Sequence, residues 1–130
     1  MSVRAFAPAD LDAVHRLLCA HGWAARVGPP RVLAGLIAAS QRVFVADAEG
    51  EVVGFVRALT DGCSNGYLSM LVVAPAWRRR GIGCALVEAA TAGDARVPWV
   101  LRAGRDGAAA FFSRLGFEPS AVAMERRRTA

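Results

Sequence analysis

The chain has 130 residues, of which 55% are hydrophobic and 21% are charged, a balance that is typical of a globular protein and excludes a disordered one. All 16 basic residues are arginine, and the formal net charge is +5. Arg, Asp, Glu or Gly interrupts every apolar run, so the sequence predicts no membrane-spanning helix and no membrane partner.

The first forty residues predict one strand and two helices. Val3–Phe6 alternates as a short strand does, and Pro8 then suits the first turn of a helix that ends near Gly22. Gly and Pro at 28–30 predict a turn or loop between two helices. Apolar residues at helical spacing then predict a second, shorter helix that ends around Ser40.

The middle of the chain predicts three consecutive strands. Arg42–Asp47 and Glu51–Leu59 flank a short turn that contains Gly50, which is the pattern of a β-hairpin. A polar loop over 60–66 follows, and Tyr67–Val73 is the next strand, which Pro75 ends.

The last third predicts a helix over Ile82–Ala92, a strand over Val97–Ala103, a short helix capped by Asp106, and a final strand over Ser120–Glu125. Gly116 stands where a helix C′ glycine belongs. The order β-α-α-β-β-β-α-β-α-β favours an α/β (α+β) fold with a mixed sheet of about six strands and helices on both faces. We expect a single domain over residues 1–130.

Charge and cysteine placement narrow the setting. Residues 66–130 carry ten arginines against five acids, whereas residues 1–65 carry six of each. Cys19, Cys63 and Cys84 are an odd number without metal-ligand spacing, which predicts no metal site and favours a reducing, cytoplasmic location. Nucleic-acid binding through the two Arg-Arg-Arg runs is disfavoured, because no exposed aromatic residues are interleaved with them.

The segment after the strand that ends at Val73 has the features of a ligand-binding site. The strand ending at Val73 is followed by Arg78, Arg79, Arg80, Gly81, Ile82 and Gly83, and then by a helix. A helix start offers unpaired N–H groups and a partial positive charge, and glycine lets a ligand approach the backbone. The segment therefore predicts a site for a phosphate-bearing ligand.

Two common nucleotide loops do not fit this segment. A P-loop needs a lysine to hold the phosphates, and the chain has none. A dinucleotide fingerprint needs a third glycine or alanine where Leu86 stands, and it follows its strand directly, whereas residues 75–80 intervene here.

Two blocks together resemble the GNAT superfamily of acyl-CoA-dependent N-acetyltransferases. The first is Leu71-Val72-Val73-Ala74-Pro75-Ala76-Trp77-Arg78-Arg79-Arg80-Gly81-Ile82-Gly83, and the second is Ala108-Ala109-Ala110-Phe111-Phe112-Ser113-Arg114-Leu115-Gly116-Phe117. They occur in the family's order, and the predicted elements are similar to the family's over almost the whole chain. The resemblance implies a GNAT-like, mostly antiparallel sheet, acetyl-CoA as co-substrate and a small-molecule or peptide amine as acceptor. The sequence leaves a homodimer open.

The resemblance also implies roles for individual residues. Backbone N–H groups of Arg78–Gly83 and of Cys84, expected as the first helical residue, would hold the CoA pyrophosphate. The strand Leu71, Val72 and Val73 would pair with the pantetheine arm, and the N–H of Leu71 would contact the thioester carbonyl. Phe112 would lie at the same cofactor site. The strands that contain Val73 and Val97 would splay apart to form the slot. Trp77 and the Ile82 side chain are better explained by packing against the core.

Catalytic side chains depart from the family's pattern. Ser69 and Met70 stand where members often carry a carboxylate base, and Phe112 stands where members often carry a tyrosine that protonates the leaving thiolate. The family's asparagine ahead of the last helix is Arg105 here. Tyr67, the only tyrosine, is the substitute acid that the sequence offers. Weaker candidates for a base, a nucleophile or an acceptor contact are His15, His21, Asp47, Asp61 and Cys84.

Two functions follow from this balance. The first is an N-acetyltransferase that moves the acetyl group of acetyl-CoA directly to a primary amine in a ternary complex. The alternative is a non-catalytic acyl-CoA-binding or regulatory module that has lost the acid and the base. Loss of one such group costs roughly 10²–10⁴ in rate, and a thiol with a pKa of about 8.5 leaves largely unassisted. The sequence therefore favours the enzyme.

Overall fold

A computed structural model describes residues 1–129 and gives five strands in the order β1-β2-β3-β4-β5. The strands are β1 (Ser2–Ala5), β2 (Arg42–Ala48), β3 (Glu51–Thr60), β4 (Gly66–Val73) and β5 (Trp99–Val100). Neighbours from β1 to β4 pair antiparallel, and β4 pairs with β5 in parallel. The mostly antiparallel α/β architecture predicted from the sequence is confirmed.

Five helices flank this sheet. They are α1 (Leu11–Ala20), α2 (Ala24–Val27), α3 (Pro30–Ala38), α4 (Ile82–Thr91) and α5 (Ala108–Arg114). A 3₁₀ turn at Pro8–Asp10 precedes α1, and another at Pro75–Trp77 follows β4. The predicted helices are present within two or three residues of the expected bounds, and α2 is an additional turn of helix that the sequence analysis did not predict.

Apolar residues form one core cluster on each face of the sheet. On one face, Val14 and Leu18 of α1 pack with Leu33 of α3 against Phe55 and Val72. On the other face, α4 and α5 pack against alternate residues of β2, β3 and β4; the buried members of that cluster include Val53, Val56, Leu68, Leu86 and Phe112. Helices on both faces leave the sheet buried in the middle of the fold.

The short helix α5 begins and ends on glycines. Gly107, with φ of 79°, is its N-cap, so the expected cap by the Asp106 side chain is wrong. At the other end Gly116 has φ of 92°, and the N–H groups of Gly116 and Phe117 donate to the carbonyls of Ser113 and Phe112. This is a Schellman motif, and it confirms the predicted glycine C′ position.

The predicted sixth strand, Ser120–Glu125, is wrong. The Ser120 hydroxyl accepts the N–H groups of Val122 at 3.1 Å and Ala123 at 2.9 Å, which holds the backbone in a turn. Val122 and Met124 are 89% and 98% exposed, so the alternation that predicted a strand has no core to face. The fifth strand is also shorter than the predicted Val97–Ala103, because only Trp99 and Val100 pair with β4.

Candidate functional site

A groove of about 1060 Å³ opens where β4 and β5 diverge. The two strands pair only at Gly66 with Trp99 and Tyr67 with Val100, and the residues that follow on each strand separate. Residues from the α1–α2 segment and residues from α4 and α5 both line the groove, so it is reached from both faces of the sheet. The splay predicted from the resemblance is present on the Val73 side, whereas Val97 precedes β5 and lies before the paired residues.

The groove has a basic opening on the α4 face. We call this the α4-side mouth and define it by Arg78, Arg79, Gly81, Ile82, Gly83 and Cys84. Arg79 and Gly81 have left-handed φ values of 63° and 79°, a geometry in which successive N–H groups can converge on an anion. The first-turn N–H groups of α4 have no intrahelical partners and lie at its positive end. The α4-side mouth is therefore suited to a phosphate.

The three consecutive arginines have different environments. Nε of Arg78 donates to the carbonyl oxygen of Val73 at 3.1 Å, which ties the loop to the end of β4. Arg79 lines the groove, whereas the Arg80 guanidinium stacks over the Trp77 ring with its carbon 4.7 Å from the ring centroid.

Trp77 in turn packs against the core cluster on the α4 face, and Ile82 is 2% exposed within that cluster, as expected for both. Because α4 begins at Ile82, Cys84 is its third residue and not its first.

A β-bulge interrupts β4 beside the groove. Val72 pairs with Phe55 and Ser69 pairs with Arg57, so Met70 and Leu71 together oppose the single residue Val56. Met70 has φ of 57°. Such a bulge releases backbone groups from the ladder and increases the local twist. It lies where Leu71, Val72 and Val73 line the groove, the segment expected to contact pantetheine.

The opening on the other face, the α1-side mouth, is defined by His21, Trp23, Arg26, Tyr67, Ser69 and Arg105. The Arg105 guanidinium carbon stands 4.1 Å from the centroid of the Trp23 ring. Its terminal nitrogens donate to the carbonyl oxygens of His21 at 2.7 Å and Gly22 at 3.1 Å. A Cβ at Gly22 would stand 2.7 Å from Nη1 of Arg105, and Gly22 has φ of 92°. Arg105 thus joins the segment after β5 to the end of α1.

A second arginine lies next to this mouth. Arg57 is the cross-strand partner of Ser69, and its Nη1 donates to the Ser40 hydroxyl at 3.2 Å. Its Nε is buried and has no hydrogen-bond partner in the described part of the chain, and burial lowers the pKa of Arg57. An arginine nevertheless stays protonated at neutral pH, so Arg57 places a positive charge behind Tyr67 and Ser69.

The weaker candidates divide between the groove and other sites. His21 and Cys84 line the groove, as do Tyr67 and Phe112, the latter 9% exposed in the core beneath it. His15 lies within α1, where Nε2 is 2.7 Å from the carbonyl oxygen of Gly28.

The two candidate aspartates are engaged elsewhere. Asp47 lies in β2, two strands away from β4, and is an ion-pair partner of Arg4 at 3.1 Å. Asp61 organises the loop before β4: it accepts the N–H groups of Cys63, Ser64 and Asn65 and the Ser64 hydroxyl. These hydrogen bonds lower the pKa of Asp61. Neither carboxylate lines the groove.

Sequence reasoning missed two features of the site. The contact between Trp23 and Arg105 joins residues that are far apart in the chain, and no local pattern marks it. The bulge at Met70 also has no signature, because a left-handed φ is uncommon for a methionine and the strand's apolar pattern is otherwise regular. The one signal in the sequence was Arg105 in place of the family's asparagine. It indicated that this position differs from other members but did not predict the contact with Trp23.

A family model described as an acetyltransferase (GNAT) domain matches residues 39–119. The chain belongs to the GNAT acetyltransferases. As a GNAT protein it is also similar to the curated mycothiol acetyltransferase of Nocardia farcinica, with 36% identity over 124 residues that cover 91% of this chain and 40% of that protein. The chain thus spans less than half the length of this relative.

Solved structures agree with this GNAT assignment. A putative GNAT-family acetyltransferase from Xanthomonas campestris has a TM-score of 0.78 and 26% identity, covering 98% of this chain and 94% of that one. The aminoglycoside N-acetyltransferase AAC(6')-Iy, solved in complex with CoA, has a TM-score of 0.73 and 21% identity, covering 99% of this chain and 95% of that one. At that identity the second likeness concerns the fold. Among residues 1–129, none of the helices has the length and apolar character needed to cross a bilayer.

Proposed function

We propose that the protein transfers the acetyl group of acetyl-CoA to a primary amine by direct attack in a ternary complex. The observation that carries this proposal is the groove through the sheet, with a phosphate-suited mouth on the α4 face and a second mouth on the α1 face. A CoA molecule bound by its phosphates at the α4-side mouth would present its thioester through the gap between β4 and β5. The amine would then approach from the α1-side mouth.

The chain's own groups fit acetyl-CoA at the α4-side mouth. The backbone of Arg78–Cys84 would hold the pyrophosphate, with the guanidinium of Arg79 adding charge-assisted hydrogen bonds. Gly83 keeps the first turn of α4 close to α5, since a Cβ there would meet Phe111. Leu71–Val73 would pair with the pantetheine arm, because β5 has diverged and left that side of β4 open.

The reaction needs a neutral amine, a polarised carbonyl and a leaving thiolate. The amine nitrogen attacks the thioester carbon, the carbon–sulfur bond breaks, and the amine's lost proton balances the proton that the CoA thiolate gains. The Leu71 N–H, beside the bulge, would polarise the carbonyl; such a donor is worth about 10²–10³ in rate. The hydroxyl of Tyr67 is the candidate acid, and water is the candidate carrier of the amine's proton.

A second candidate is a CoA-binding module without catalysis. It is favoured by the groove lining, in which Asp106 is the one carboxylate that the described part of the chain supplies and Phe112 replaces a proton donor. Binding of acetyl-CoA is common to both functions, whereas release of free thiol in the presence of amines belongs to the enzyme alone.

Two measurements test the proposal. Calorimetry with acetyl-CoA is expected to give saturable binding, and a thiol-release assay over a panel of amines, amino acids and peptides is expected to give turnover above acetyl-CoA hydrolysis. Absence of binding contradicts both functions. Binding with no amine-dependent release across the panel favours the module.

A further inference from the structure

The charges around the groove are strongly one-sided. Among residues 1–129, six arginines line it against one carboxylate, that of the exposed Asp106. The arginines are Arg26, Arg78, Arg79, Arg102, Arg105 and Arg114. Arg78 and Arg79 belong to the α4-side mouth, and Arg102 forms an ion pair with Glu125 at 3.0 Å. Under the proposed function, the CoA phosphates would balance the charges of Arg78 and Arg79. Glu125 balances the charge of Arg102.

The α1-side mouth has its own excess of positive charge. Arg26 and Arg105 line it, and Arg57 lies behind Ser69. The hydrogen bonds made by Arg57 and Arg105 go to a hydroxyl and to two backbone carbonyls, none of which carries a formal charge. Arg57 is half-buried, while Arg26 and Arg105 are exposed, so at low salt these charges would repel a polycationic acceptor and attract an anionic one.

Arg105 has donors left for a ligand. A guanidinium carries five N–H groups, and the hydrogen bonds to His21 and Gly22 use one on each terminal nitrogen. Nε–H and the adjacent second hydrogen of a terminal nitrogen form the side-on edge that a carboxylate can accept in bidentate geometry. The stacked Trp23 ring and the two carbonyls hold this edge in place, which lowers the entropy lost on binding.

We propose that the acceptor is an amine that also carries a carboxylate, and that Arg105 binds this carboxylate at the α1-side mouth. This inference rests on the proposed function, since it names the acceptor class of the same groove. Polyamines and other multiply charged cations are then poor acceptors.

The test uses ¹⁵N-labelled full chain, saturated with CoA and followed by NMR. Signals of Gly81–Cys84 report CoA binding, and the Trp23 indole N–H reports the α1-side mouth. The probes are α-amino acids and their matching carboxamides, which differ in charge but little in size, together with spermidine and phosphoethanolamine. At least one amino acid is expected to shift the Trp23 signal and to bind about tenfold more tightly than its carboxamide, the usual scale of one hydrogen bond to a charged group.

Variants distinguish a specific role of Arg105 from a general effect of positive charge. Arg105→Gln is expected to abolish the preference for acid over amide, and Arg105→Lys to retain part of it. Arg31→Gln is the matched control: it removes an exposed positive charge from α3, outside the groove, and should leave the preference unchanged. Where turnover is measurable, the same preference should appear in kcat/KM, mainly through KM, and should shrink as salt is raised.

The outcomes are distinguishable. If CoA does not shift the Gly81–Cys84 signals, the proposed function fails, and this inference fails with it. If CoA binds but no acid shifts the Trp23 signal, or carboxamides or spermidine bind as tightly as the acids, the inference alone is overturned. Binding of phosphoethanolamine without any amino acid overturns the carboxylate in favour of a phosphate-bearing amine.

Discussion

Gly83 and Phe111 are in contact where the first turn of α4 meets α5: a Cβ at Gly83 would stand 2.9 Å from Cζ of Phe111. Gly83 also belongs to the α4-side mouth. The substitution Gly83→Ala should therefore displace Phe111 toward the groove and weaken acetyl-CoA binding by about tenfold, and Gly83→Trp should abolish binding by filling the mouth. Calorimetry measures both.

The control is Gly35→Ala in α3. Apart from its neighbours in α3, no described residue has an atom within 4 Å of a Cβ at Gly35, which is an exposed position inside α3. This variant should bind acetyl-CoA as the parent does and gain about 0.5–1 kcal/mol in free energy of unfolding, because alanine loses less backbone entropy than glycine in a helix. Unchanged binding in Gly83→Trp would refute the assigned phosphate site.

Tyr67 lines the groove half-buried at the start of β4, one residue after the point where β5 first pairs. If its hydroxyl protonates the leaving thiolate, Tyr67→Phe should lower kcat by about 10²-fold, the lower end of the range for general acid catalysis. The Kd for acetyl-CoA should stay within about twofold, since the ring is retained. Ser69→Ala, on the same face of the strand, is the comparison variant. Unchanged turnover in Tyr67→Phe removes it as the acid.

Stability should depend on pH through Asp10. Its buried carboxylate accepts hydrogen bonds from two Arg4 nitrogens at 2.8 and 2.9 Å and from the Ala7 N–H at 2.9 Å. The Arg4 hydrogen bonds chiefly hold the pKa of Asp10 below its ordinary value. A depressed folded-state pKa means that this stabilisation is present above the unfolded pKa and is lost as pH falls through the folded pKa. Below the folded-state pKa, the carboxyl group is protonated in both the folded and the unfolded protein, and its charge no longer contributes to stability.

The variant Asp10→Asn should therefore lower the free energy of unfolding at pH 7 by about 1.5–3 kcal/mol, the range for a hydrogen bond to a charged group. The loss should fade as the pH is lowered below about 4. Asp12→Asn, an exposed carboxylate in the first turn of α1, should change the free energy by less than about 0.5 kcal/mol. Urea unfolding at several pH values measures both, and a pH-independent loss in Asp10→Asn would count against the ion pair as its cause.

Local signals in the sequence were sufficient for most of the fold. The hairpin between β2 and β3 turns at Glu49 and Gly50, both with left-handed φ, as a Gly-containing turn between alternating strands predicts. Helix α4 follows from its apolar spacing and the glycines before it. In these places the residues that decide the structure are close together in the chain.

The errors concern contacts between distant residues. Val122 and Met124 alternate as strand residues do, but Glu125 pairs with Arg102 and the segment folds into a turn instead. The sequence marked Arg105 only as the replacement for the family's asparagine, whereas in the fold its guanidinium is held against Trp23. Neither outcome follows from spacing, because each depends on which distant side chain the fold brings alongside.

The bulge in β4 decides which face of the sheet each later residue of the strand occupies. Leu68 belongs to the core cluster on the α4 face, whereas Met70 and Val72, which would share its face in a regular strand, belong to the cluster on the α1 face. The extra residue thus reverses the phase of the strand between Tyr67 and the arginine loop. In a regular pleat without the bulge, this same sequence would turn every side chain after Ser69 to the wrong side of the sheet. The bulge therefore lets Leu68 and Met70, two residues apart in one strand, fill cores on opposite faces of the sheet.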